Sequence, residues 1–304
     1  MNSTVTKKKH KFDADKAFPH VMLAPTVIVM LIMTVYPVAF TIYYSFTDYN
    51  LLKAVKKGFN FIGVQNFVNL FNNAVFRTAI LNTVKFTLFA VIAETVLGLL
   101  LAVFVNGLHR GQKVMRTLLL LPYLLPTVTV ALAWRMLLSS NYGPINQWLV
   151  DLGFTEMANY NWFYHIGTAF WTIWVIDVWQ NVPFVFLLLY ASLQGVPEQQ
   201  YEAAELDGAN MFQRFFYVTL PNIRSGIFLC LLLRTIDTFR LFDKVNILTQ
   251  GGPVNTTTTI TQYLYNFGIK TLNFGFGSAG ALIMTVLVLI LAIPYIRTAI
   301  GAKN

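Results

Sequence analysis

The sequence predicts an all-α polytopic membrane protein with six transmembrane helices. Two observations carry that expectation. Six apolar runs are each long enough to cross a bilayer core, which takes ~20 residues of helix. The chain is also thin in charge: 12% of its 304 residues are charged and 56% are hydrophobic, against about 25% charged in an ordinary soluble domain. In lipid every backbone N–H and C=O must be paired inside its own segment, so runs of this kind become helices.

The first 19 residues read as a basic tail, with Lys7, Lys8, Lys9, Lys11 and Lys16 contributing much of the net charge of +9. Beside a span, and without interleaved aromatic residues, this is a topology signal and a contact for anionic lipid rather than for nucleic acid. Residues 20–304 then form one membrane domain. Its first run, 20–46, is too long for the apolar core of a cleaved signal peptide and lacks a small-x-small exit, so it is expected to stay as a span. The remaining runs are 79–105, 114–138, 166–190, 223–248 and 274–298. Six spans put both termini on one side. That side carries twelve Lys and Arg: the five of the tail, then Arg110, Lys113, Arg116, Arg214, Arg224, Arg297 and Lys303. The opposite loops carry six: Lys53, Lys56, Lys57, Arg77, Lys244 and Lys270. The positive-inside rule therefore places both termini in the cytoplasm.

Several chemistries find no support. The lone Cys230 and the scattered His10, His20, His109 and His165 build neither a disulfide nor a metal site. Gly275, Gly277 and Gly280 spell the dinucleotide fingerprint, but no strand precedes them; small residues opening a membrane helix serve close packing. The Gly107–Lys113 stretch has the wrong spacing for a Walker A motif, so this chain is not expected to bind ATP.

Charges inside apolar runs are informative, because each costs about 2.5–3.5 kcal/mol at mid-bilayer. Lys85 and Arg135 lie near span ends and can snorkel. Glu94, Asp177, Arg234 and Asp237 fall near mid-span and should face the bundle interior or a hydrated cavity. In the fifth run Arg234, Asp237, Arg240 and Asp243 alternate in sign every third residue, a ladder in which each neutralises the next. That ladder either makes insertion tolerable or lines a path, with Phe239 and Phe242 beside it. In the fourth run Trp171, Trp174, Asp177, Gln180 and Asn181 are expected largely on one face. Aromatic faces beside short polar groups suit a sugar ring, although the two tryptophans also fit an interfacial aromatic belt.

Between the fourth and fifth runs lies a polar elbow, 193–222. Pro197 and Glu198 open a helix through Ala203, Ala204, Glu205 and Leu206; Asp207-Gly208 breaks it. Asn210 caps a second short helix carrying Phe212, Phe215, Phe216 and Val218, which Pro221 is expected to close.

The spacing Glu202-Ala203-Ala204, three residues, Gly208, nine residues, Val218-Thr219-Leu220-Pro221 resembles the EAA loop of ABC-importer permeases, departing only in Val218 for Ile. Gly63, Asn66 and Phe67 resemble the G-x-x-N-F stretch of carbohydrate-type permeases. Thr249 to Pro253 with Thr256 to Thr259 are similar to the first of the two paired permeases of sugar uptake, and the Phe242-Asp243 pair resembles the F-D of sugar permeases in this place. The likeness runs from about 20 to 298. It implies a permease subunit of a binding-protein-dependent importer in a bacterial or archaeal cell membrane, carrying a carbohydrate or polyol and performing no catalysis. It implies as partners a second homologous permease, two ATPase subunits that bind and hydrolyse the ATP, and an extracytoplasmic solute-binding protein. Glu202, Ala203, Ala204, Gly208, Phe212, Leu220 and Pro221 would meet the ATPase; Trp174, Asp177, Asn181, Glu94, Arg234, Asp237 and Phe242 would line the solute path. Glycerol phosphate is an alternative solute. An ion-coupled secondary transporter is the rival class, but the inverted repeats such proteins show are not visible here.

Overall fold

A computed structural model describes residues 14–108 and 110–301; the lysines at 7–11, His10, His109 and Lys303 lie outside the described residues. Among those residues the chain is helical, with a single isolated bridge, Thr47 to Phe61, and no strand. The first span belongs to α1 (Ala14–Ser45). Two short helices follow, α2 (Leu51–Lys57) and α3 (Gln65–Asn72), then the second span, α4 (Ala74–Asn106).

The third run is not one rod. It divides into α5 (Gln112–Leu124) and α6 (Thr127–Leu137), bent by 89°. Pro126 causes the break: the residue before a proline is driven out of the helical region, and Leu125 is extended at φ −77°, ψ 135°. Its freed carbonyl accepts from Gln180 Nε2 at 3.0 Å. A loop helix, α7 (Pro144–Asp151), leads to the fourth span, α8 (Ala169–Leu193).

The elbow contains α9 (Glu198–Leu206) and α10 (Met211–Arg214). Here the structure corrects the expectation for Pro221. It does not close the second helix; it sits in the first turn of the fifth span, α11 (Leu220–Phe239). Pro221 has no N–H to give and its ring presses on the preceding turn. The helix widens into a π-turn over Phe215–Thr219 instead of stopping.

The fifth span is also shorter than its apolar run. It ends at Phe239, and α12 (Asp243–Leu248) restarts after a three-residue break. The four-rung ladder is therefore not continuous: Arg240 and Asp243 lie beyond the helix end. The break is made by tertiary contacts. The Leu241 carbonyl, lost to the helix, accepts from Thr259 Oγ1 at 3.0 Å and from Thr261 Oγ1. Helix α13 (Ile260–Leu264) follows, and the sixth span is in α14 (Phe274–Gly301).

Three apolar clusters hold the bundle. One joins α4, α6, α8 and α12 around Phe86, Ile173 and Val245. A second, nearer the elbow, joins α4, α8 and α11 around Phe186, Leu189 and Cys230. The third joins α4, α13 and α14 around Phe76, Tyr263 and Ala279. Gly277 packs at the third of these junctions, against the turn that continues α13: a Cβ on it would lie 3.2 Å from Gly268 Cα, as expected of a small-residue contact.

Candidate functional site

Where α8, the end of α11, α12 and the start of α6 meet, they border an open cavity of ≈ 380 Å³. Asp177 and Asn181 reach it from α8, Arg234, Asp237 and Thr238 from α11, and Thr127 from α6. The break and α12 supply Arg240, Leu241, Phe242, Asp243 and Lys244. The sequence-predicted Asp177, Asn181, Arg234, Asp237 and Phe242 are thus brought together.

Four charges around this cavity are buried: Glu94, Asp177, Arg234 and Lys244. A buried ion persists only when paired and hydrogen-bonded, and each of these is. Arg234 Nε donates to Glu94 Oε2 at 2.7 Å and Nη2 to Oε1 at 3.1 Å, a two-pronged grip across α4 and α11. Its Nη1 donates to Asp237 Oδ2 at 2.9 Å. Lys244 Nζ donates to Asp177 Oδ1, which also accepts from Asn181 Nδ2 at 3.1 Å. Asp177 Oδ2 has no hydrogen bond and lies 3.9 Å from Arg234 Nη2. At the rim the groups are solvated: Arg240 pairs with Asp237 at 3.3 Å with both side chains more than half exposed (62% and 58%). Asp243 is exposed, and Phe242 stands edge-on to Tyr265 with centroids 4.9 Å apart.

Three placements differ from expectation. Glu94 does not line the cavity; it stands behind Arg234 as its counter-ion. Trp174 packs into the apolar cluster with Ile173 and Val178, and Trp171 faces outward against Phe89. Steps of three residues each fall about 60° short of a full turn, so the series from Trp171 to Gln180 winds round the helix rather than holding one face. Lys244, expected in an outer loop, is buried as the partner of Asp177. Its position at the end of an apolar run gave no sign that it turns inward.

At the other end of α11 the elbow is built as its residues dictate. Gly208 is at φ +78° with open space about it, so conformation and not room requires glycine there. Asn210 and Gln213 form a reciprocal capping box, at 2.9 and 2.8 Å. Tyr201 Oη meets Thr219 Oγ1 at 3.1 Å and Asn222 Nδ2 donates to Gln200 Oε1 at 2.7 Å, which fixes the angle between α9 and α11. Glu202, Ala203 and Pro221 are exposed; Ala204 and Leu220 are half-buried. Leu206, Met211, Phe212 and Tyr217 are all exposed, Leu206 to 89%. Large apolar side chains left bare in one place mark a contact surface.

The remaining motifs are structural. Asn66 is buried and donates to the Ser45 and Thr47 carbonyls at 3.0 and 2.8 Å, capping the end of α1, while Phe67 packs on Phe46. Thr249 and Thr257 hydroxyls meet at 2.7 Å and Thr258 Oγ1 donates to the Gly251 carbonyl at 2.9 Å. Gly251, at φ +94°, has no room for a Cβ against Thr258.

Comparisons with known proteins agree with this architecture. Residues 94–299 match the family described as binding-protein-dependent transport system inner membrane component. The trehalose/maltose transport system permease protein MalF of Thermococcus litoralis is 34% identical over 297 residues, covering 97% of both chains. The sulfoquinovosyl glycerol transport system permease protein SmoG of Agrobacterium fabrum is 34% identical over 93% of this chain and 90% of that protein. The sn-glycerol-3-phosphate transport system permease protein UgpA of Escherichia coli is 30% identical over 93% of this chain and 94% of that protein. In fold, the chain is similar to one in the crystal structure of a bacterial ABC transporter involved in import of the acidic polysaccharide alginate, with TM-score 0.82, 23% identity, and coverage of 96% and 98%. With the match over residues 94–299 and these relatives along nearly its whole length, the chain belongs to the family of binding-protein-dependent transport system inner membrane components, membrane-embedded permease subunits of ABC importers and not enzymes.

Proposed function

We propose that this chain forms half of the translocation path of a carbohydrate or polyol importer. In this reading solute passes the cavity at Asp177, Asn181, Asp237 and Phe242, and a second, homologous permease supplies the other half. The observation that carries it is the cavity itself: a polar, hydroxyl-matching wall at mid-span in a permease with a similar protein named for trehalose/maltose transport. The likeness to a glycerol-phosphate permease favours a second reading, a small anionic solute. A solute-binding protein on the outer side delivers the solute; a similar importer was crystallised with its alginate-loaded periplasmic protein.

Two ATPase subunits drive the cycle by docking at the elbow, whose exposed Leu206, Met211 and Phe212 would fill a cleft. Gly208→Val puts a β-branched residue at a positive φ, a local strain of about 1–3 kcal/mol. The variant should insert normally and lose either ATPase assembly or coupling, read by co-purification and by hydrolysis in proteoliposomes. If it keeps both substrate-stimulated hydrolysis and uptake, the elbow is not the coupling element.

A further inference from the structure

We infer that this half of the path filters for neutral polyhydroxylated solutes and turns away phosphorylated, sulfonated and carboxylated ones, because every cation at the cavity is already bound to a carboxylate of the same chain and the rim holds one negative charge in excess. The inference rests on the cavity being the solute path.

The charges that line the cavity, together with Glu94 standing behind Arg234, fall into two shells. Inside, Glu94 and Asp177 against Arg234 and Lys244 sum to zero. Three of Arg234's nitrogens are spent on Glu94 and Asp237, and Lys244 is spent on Asp177. The rim carries Asp237, Arg240 and Asp243, a net charge of −1. The one solvated cation, Arg240, is engaged by Asp237 at 3.3 Å. From α6, Arg135 is turned to the Ile247 carbonyl at 3.1 Å and does not face the cavity. An anion entering here would have to take Arg240 from Asp237, leaving that carboxylate beside the anion and Asp243. A hydroxylated neutral solute meets the reverse situation. Asp237 and Asp243 offer acceptors with free lone pairs, Arg240 keeps N–H groups beyond its single bond to Asp237, and Phe242 offers an apolar ring for a C–H face.

The potential of the cavity can be read without knowing the solute. In the assembled importer, in a Cys230→Ser background, Thr127→Cys places a thiol on the cavity wall and Asn141→Cys places one in a loop as reference. Each is reacted with a cationic reagent, trimethylammonium-ethyl methanethiosulfonate, and with an anionic one, sulfonatoethyl methanethiosulfonate, with and without ATP. An excess of negative charge at the rim raises the local concentration of a cation over that of an anion. The cationic-to-anionic rate ratio at position 127 should therefore exceed that at 141, and Asp243→Asn should bring the two together. A ratio at 127 equal to or below that at 141, or one that Asp243→Asn leaves unchanged, overturns the filter while the cavity stands as the path. If neither reagent reaches position 127 in either nucleotide state while 141 reacts, the cavity is not a hydrated path and both readings fall.

Discussion

Asp177 is held from two directions, by Lys244 across the break in the fifth span and by Asn181 one turn along its own helix, while its second oxygen is left without a hydrogen bond. Charge pairing and a place on the cavity wall are therefore combined in one side chain. Asp177→Asn strands the Lys244 ammonium in the interior, which should lower the stability of the complex by about 3–5 kcal/mol. Adding Lys244→Met should recover most of that loss, because both buried charges are then gone, while uptake stays reduced. Thermal melting of the complex and an uptake assay separate the two contributions; a single variant that melts and transports like the parent would deny Asp177 both. Glu94→Gln should behave differently. Arg234 keeps Asp237, so yield falls but the cavity wall is intact. Glu94, Asp177, Arg234 and Asp237 were legible in the sequence because charge inside an apolar run has to be answered. Lys244 was not, since it lies near the outer end of the run 223–248, where a lysine can reach the interface as readily as turn inward.

The elements were legible where local chemistry determines them. Pro197, Asp207-Gly208 and Asn210 set the elbow where the residue types demand, and five of the six runs became membrane-length helices while the third divided into a bent pair. The bend between α5 and α6 was present in the sequence as Pro126, whose effect on Leu125 needs no tertiary help. The end of the fifth span is another matter. Between Phe239 and Asp243 there is no proline and no glycine. The helix stops because hydroxyls from Thr259 and Thr261, some twenty residues on, take up the Leu241 carbonyl. Replacing both threonines with valine would leave that acceptor unpaired, at a cost of about 1–3 kcal/mol. Amide hydrogen exchange over Asp243–Leu248 should then speed up, with the exchange of α8 unchanged. If α12 keeps its protection, the break has another origin.

At the scale of the molecule, the expectation that both termini and the elbow face the cytoplasm rests on a count. With Lys244 buried, the balance of Lys and Arg is twelve against five. A cysteine at Asn141 should react from outside with a membrane-impermeant thiol reagent, and one at Gln200 should not, both in a Cys230→Ser background. Reversed labelling would invert the whole assignment. The apolar residues left bare along α1, from Val27 to Tyr36, fit a lipid-facing helix rather than a soluble surface.

The π-turn at Phe215–Thr219 has a consequence for how this chain tolerates change in length. A π-turn is one residue more than a regular helix would hold. It stands between the elbow and the twenty residues of α11, whose far end carries Arg234 and Asp237. Deleting a single residue there would let the helix close into regular α geometry with both halves folded. Because the extra residue is taken up inside the widened turn, removing it would leave Phe212 and Met211 close to their present azimuth relative to the charged face. The same deletion within the regular turns of α11 would set the two ends of the rod about 100° out of phase.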